Sequence, residues 1–133
     1  MSLYINSPSY YTSLYGVDEE IYKMCRLIEK NIDIKKYTSK LDSVGVTPII
    51  VPKEEICDDR WQETKKISLS YRFAGISLYI DYSDYISSNV AEKKSLIIKN
   101  ILDSLLLIKK RLKNDFNYEE IKNDISTLAK SIQ

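Results

Sequence analysis

The stretch LYIDYSDYI, residues 78 to 86, sets Asp81 and Asp84 among Tyr79, Tyr82 and Tyr85. Two carboxyls this close could work as a general acid and base, provided a cleft holds them and drives their pKa values apart. A second group lies upstream. Glu54, Glu55, Asp58 and Asp59 surround the only tryptophan, Trp61. Oxygen ligands in that number suggest calcium, but a calcium loop needs a fixed ligand rhythm and a turn glycine, and neither is there. A third group is the basic run Lys109, Lys110, Arg111 and Lys113, which could meet nucleic acid.

What is missing narrows the chemistry further. The chain has no histidine, which removes Ser-His-Asp and Cys-His catalysis and imidazole metal sites. Gly16, Gly45 and Gly75 are too scattered to build a phosphate-binding loop. No cofactor and no metal is therefore expected. Cys25 and Cys57 form no CxxC pair and read as free cytosolic thiols.

The elements that must position these groups follow from periodicity. A chain of 133 residues, 44% hydrophobic and 29% charged, suits one globular domain spanning 1–133. Its net charge of +1 supplies no global field for nucleic acid or an anionic membrane. No apolar run nears the ~20 residues of a membrane span, and the N-terminus lacks the pattern of a secretory signal. Alternation in SLYIN and YYTSLY predicts one or two short strands. Ile21, Met24, Cys25, Ile28 and Ile32 form one stripe on a helix over about 18–36. Cys25 falls inside that stripe, which marks it for core packing.

VGVTPIIVP, residues 44 to 52, reads as a strand, with Pro48 pointing to a sheet edge or a bulge. Two alternating runs flank Ala74-Gly75: Ile67, Leu69, Tyr71 and Phe73, then Ile76, Leu78, Ile80 and Tyr82. They predict an antiparallel hairpin turning at Ala74-Gly75. Asn89 with Glu92 resembles a capping box opening a long helix to about Lys113, and Asn117 with Glu120 opens a last one. The order β-α-β-β-β-α-α favours α+β: an antiparallel or mixed sheet of about four strands, with one N-terminal and two C-terminal helices packed on it.

Within that frame Asp81 sits at a strand end and Asp84 in a turn, where aspartate commonly bonds backbone amides. A strand exit explains them more simply than catalysis does. The basic run suits the negative end of a helix, and the four acids and two lysines of 115–133 offset its field. Trp61 is either sheet packing or an interface anchor.

Three stretches carry a resemblance: LDSVGVTPIIVP at 41–52, ISLYIDYSDYI at 76–86, and EKKSLIIKNILDSLLLIKKRLKNDFNYEEIKNDI at 92–125. They cover about the C-terminal two-thirds. The chain resembles the bacterial immunity proteins of polymorphic toxin systems, specifically immunity protein family forty-four. The resemblance implies a non-enzymatic inhibitor of a toxin encoded beside it, in a contact-dependent growth inhibition system. It implies action in the cytoplasm, on the cognate toxin C-terminal domain; charge and hydropathy add no nucleic-acid and no membrane partner. The resemblance assigns no binding residues. Charge and aromatic content nominate Glu54, Glu55, Asp58, Asp59, Trp61, Tyr82, Asp84 and Tyr85 as the toxin-binding surface, suited to the basic cleft of a nuclease. The alternative is a nucleic-acid-binding regulator using Lys109–Lys113. A carboxylate hydrolase at Asp81 and Asp84 is a third reading. Monomer and weak homodimer both fit the sequence.

Overall fold

The computed structural model describes residues 1–6, 9–10, 19–55 and 67–131. The strands are β1 (Leu3–Ile5), β2 (Ser9–Tyr10), β3 (Ser43–Val51), β4 (Ile67–Ser70) and β5 (Phe73–Asp81). The α-helices are α1 (Glu19–Asn31), α2 (Tyr82–Ile86), α3 (Val90–Leu112) and α4 (Tyr118–Lys130). Single 3-10 turns lie at Ile34–Lys36, Lys53–Glu55 and Lys113–Asp115. The sheet runs β1-β3-β5-β4, with β2 also on β3. It is mixed: β1, β2 and β5 run parallel to β3, and β4 antiparallel to β5. The α+β class matches the sequence reading, with one more strand and the extra short helix α2.

The strand alternation decides which face is buried. Ala74, Ile76, Leu78 and Ile80 of β5, with Val44, Val46 and Ile50 of β3, point into the core. There they meet Ile97, Ile101, Leu105 and Ile108 of α3. Each of the valines, leucines and isoleucines contributes about 1.5–3 kcal/mol on burial. On the opposite face the Phe73 ring lies across Gly45 and Gly75. A Cβ at either glycine would sit 3.2 Å from that ring. The two glycines leave a flat seat for it.

Two expectations need correction. Pro48 is not at an edge, because β3 is the inner strand between β1/β2 and β5. β1 pairs with Val44–Val46 and β2 with Ile49–Ile50, so Pro48 falls in the gap between them. Its missing N–H then leaves no ladder bond unmade. The hairpin exists, but it turns at Tyr71-Arg72 rather than Ala74-Gly75. Leu69 pairs with Ala74 and Ser70 with Phe73, leaving two residues in the loop. Both have positive φ, 50° and 71°. That is what a two-residue hairpin turn with the right twist demands, at a cost of about 1 kcal/mol per non-glycine residue. Arg72 offsets part of it by bonding the Ser39 carbonyl at 2.7 Å and Asp42 at 3.1 Å. Because Ala74 and Gly75 belong to β5, that strand keeps its inner-face alternation back to Ala74.

The helices begin where the caps put them. Asn89 accepts from the Glu92 N–H at 2.8 Å, and Glu92 accepts from the Asn89 N–H at 3.1 Å. Asn117 accepts from the Glu120 N–H at 3.2 Å. The first helix stops at Asn31, short of the expected 36. Asp33 then caps a separate 3-10 turn by accepting from the Lys35 N–H. α3 ends where Lys113 takes φ 55°.

α1 also fastens the sheet's end through charge. Glu29, 2% exposed, accepts the Ile5 N–H at 2.6 Å and pairs with Arg26 at 2.9 Å. The Arg26 guanidinium donates to the Ile5 carbonyl. The pair thus serves both backbone groups of Ile5, as a neighbouring strand would. Among the described residues, no helix is long and apolar enough to cross a membrane.

Candidate functional site

The parallel pairing of β3 and β5 ends with Val51 beside Asp81. The chain leaves both strands at the same end of the sheet. The Lys53 N–H donates to Asp81 Oδ1 at 3.1 Å, which ties the Lys53–Glu55 turn to the start of α2. Two segments nominated separately from sequence therefore meet. Glu54 and Asp84 are exposed, and Tyr82 is half-buried against the core. Tyr85 is different: its ring is buried, with the Lys93 ammonium 5.2 Å from the centroid. It supports the surface from below. The side chain of Glu55, and Asp58, Asp59 and Trp61 entirely, lie outside the described residues.

Asp81 sits at the strand end as expected, but it, rather than Asp84, takes the backbone amide, that of Lys53; Asp84 lies within α2 instead of a turn. The Asp84 carbonyl accepts from the hydroxyls of Ser87 at 3.3 Å and Ser88 at 2.7 Å, closing α2. Both aspartates line a groove of about 590 Å³ between the last residues of β5 and one flank of α3. Asp103, Lys53, Lys99 and Lys110 complete its charged lining, three carboxylates against three lysines. Acid excess is therefore not a property of the described part of this surface.

Asn100 stands in the same groove and was not singled out by sequence. It is 5% exposed, and its amide donates to the Leu78 carbonyl at 3.0 Å. Its Oδ1 has no hydrogen-bond partner among the described residues. The sequence did hold a signal: an amide one residue before Ile101, within the buried stripe of a long helix. Arg26 and Glu29 were missed for a related reason, since their i,i+3 spacing looks like an ordinary surface pair.

The basic run behaves as a helix terminus. Lys109 Nζ donates to the carbonyls of Lys113 at 2.7 Å and Phe116 at 3.0 Å, tying the last turn of α3 to the chain that leaves it. Cys25 lies in the buried stripe of α1, as expected, and burial pushes its thiol up to about 11. A thiol held there carries almost no thiolate at neutral pH, so it is no nucleophile.

Residues 1–131 match the family described as Immunity protein 44, and the chain belongs to that family. No curated protein and no solved structure matches it. Membership in an immunity family implies neutralisation of a toxin.

Proposed function

We propose that this chain is a non-enzymatic inhibitor that binds the C-terminal toxin domain encoded beside it and blocks its active site or substrate path. The toxin is a nuclease with a basic cleft. The setting is contact-dependent growth inhibition, with the two proteins meeting in the cytoplasm. The contact surface includes Glu54, Tyr82 and Asp84 at the end of the sheet where β3 and β5 finish, with Tyr85 packed beneath, and takes in Glu55, Asp58, Asp59 and Trp61, which follow Glu54 in the sequence. The inhibitor acts as a monomer or weak homodimer, without a cofactor.

The observation that supports this reading is the bond from the Lys53 N–H to Asp81, which brings the residue before Glu54 to the residue before Tyr82. Acids beside a tryptophan can stand in for the phosphates a nuclease cleft receives. Family membership supports the class of partner.

The test is capture of partners on the tagged chain in its own cell, read by mass spectrometry. A stoichiometric C-terminal domain of a large secreted or surface protein is the expected result. That domain should degrade nucleic acid, and adding the chain should stop it. Capture of nucleic acid alone would favour the regulator reading. Alanine at Asp58, Asp59 and Trp61 together should weaken binding by roughly 2 kcal/mol or more. Unchanged affinity would remove that segment from the interface.

A further inference from the structure

A second groove, of about 860 Å³, opens on the other flank of α3, between α3 and α4 and against the start of α1. Its α3 wall runs from Val90 to Asp103, thirteen helical rises or about 20 Å. Its floor is apolar: Met24, Ile98, Leu102, Tyr118 and Ala129. Ile98, Leu102, Tyr118 and Ala129 remain half-exposed, and Val90 at one end is 37% exposed.

The rim is basic. Lys94, Lys99, Lys122 and Lys130 stand around it against the carboxylates Glu20 and Asp103. Those two acids are already engaged: Lys94 pairs with Glu20 at 3.3 Å and Lys99 with Asp103 at 2.9 Å. Lys122 and Lys130 are exposed and, among the described residues, have no ion-pair partner. Both lie on α4, eight residues apart, along one side of the groove.

From this geometry we infer that the groove between α3 and α4 receives an acidic amphipathic helix of the toxin domain. Three features select that occupant. The groove is walled by helices whose backbone groups bond internally. An extended segment would find no ladder there and would leave its own amides unpaired, whereas a helix arrives with its backbone satisfied. The apolar floor between two helices suits side chains at i, i+3, i+4 and i+7 of a third. The unpaired lysines require carboxylates on that helix's flank. A second copy of this chain does not meet the last condition, because a two-fold contact would set one lysine rim against another.

This inference rests on the toxin-binding reading for the source of the helix, but it concerns a different face. The test uses the full chain with a photoreactive benzoyl-phenylalanine at Ser126, inside the groove. A second version carries it at Asp84, at the sheet's end. Each is expressed with an inactivated toxin domain from the neighbouring gene, irradiated, and the adducts are sequenced. An adduct from position 126 onto an acidic helix of the toxin domain is the expected result. Lys122→Glu with Lys130→Glu should then weaken the complex about tenfold and flatten its dependence on salt. Among the described residues those lysines make no ion pair, and a thermal melt of the double variant should show the fold retained, with only the small loss expected of an acid in the last turn of α4. A complex that crosslinks only from position 84, with undiminished affinity in the double variant, overturns the groove and spares the toxin reading. An adduct joining two copies of the chain assigns the groove to self-association and overturns it too. Absence of any complex removes the toxin reading, and this inference with it.

Discussion

Two grooves flank α3, and they differ in kind. The one beside β5 has balanced charge and a strand among its walls, and it contains a buried amide. The one beside α4 is walled by helices alone, with an apolar floor and surplus lysine. Lys99 and Asp103 line both, so their ion pair is the ridge between them. A net charge of +1 conceals this division. Helical periodicity performs it, by sending neighbouring residues of one helix to opposite flanks. Electrostatic character therefore belongs to faces rather than to the chain, and a recognition surface has to be sought there.

The comparison can be broken at the root. Both grooves depend on α1 and the sheet holding α3 in place, and the Arg26–Glu29 pair holds α1 to β1. Glu29→Ala leaves the Ile5 amide without its acceptor and takes the carboxylate from a guanidinium that still reaches the Ile5 carbonyl, and should cost about 2–3 kcal/mol. Denaturant unfolding measures it, and both grooves should lose binding together. A loss under about 1 kcal/mol would mean that the pair is dispensable.

A smaller change should touch one groove alone. Asn100→Ala removes the bond to the Leu78 carbonyl and should destabilise the chain by about 1–2 kcal/mol. It should alter contacts made beside β5 and leave crosslinking from position 126 as it was. If the two respond equally, the ridge does not separate them.

The smallest effect concerns the α4 wall. The Tyr37 hydroxyl donates to Asp124 at 2.6 Å and Lys36 lies 3.2 Å away. The hydroxyl first, and then the ammonium, hold Asp124 below its ordinary value of 3.8. A depressed carboxylate adds stability above that ordinary value and loses it as pH falls through the lowered one. Thermal melts between about pH 5 and pH 2 should show this acid loss in the wild type and less of it in Asp124→Asn. Parallel curves would show that the contact contributes nothing.

Much of this was legible locally. The alternation of Ile76, Leu78 and Ile80 gave the buried face of β5, and Asn89 with Glu92 gave the start of α3, because each rests on residues a few positions apart. Pro48 misled because its tolerance depends on a gap between two other strands, which no local pattern encodes. The hairpin turn was misplaced because Ala-Gly has the composition of a turn, while Tyr71-Arg72 is held in one by Asp42 and Ser39 from elsewhere. The meeting of Lys53 with Asp81 could not be read from sequence, since it needs the parallel register of β3 on β5. The groove on α4 escaped notice because its lysines are spread over two helices.

Cys25 turns the interior of this fold into something that can be timed. It follows Met24, which lies in the floor of the lysine-rimmed groove, and because it is buried its labelling should require α1 to lift from the core. The labelling rate at its peptide is thus a clock for that opening. Run with and without the toxin domain, the clock would tell whether an occupant of the groove slows the motion of the helix beneath it.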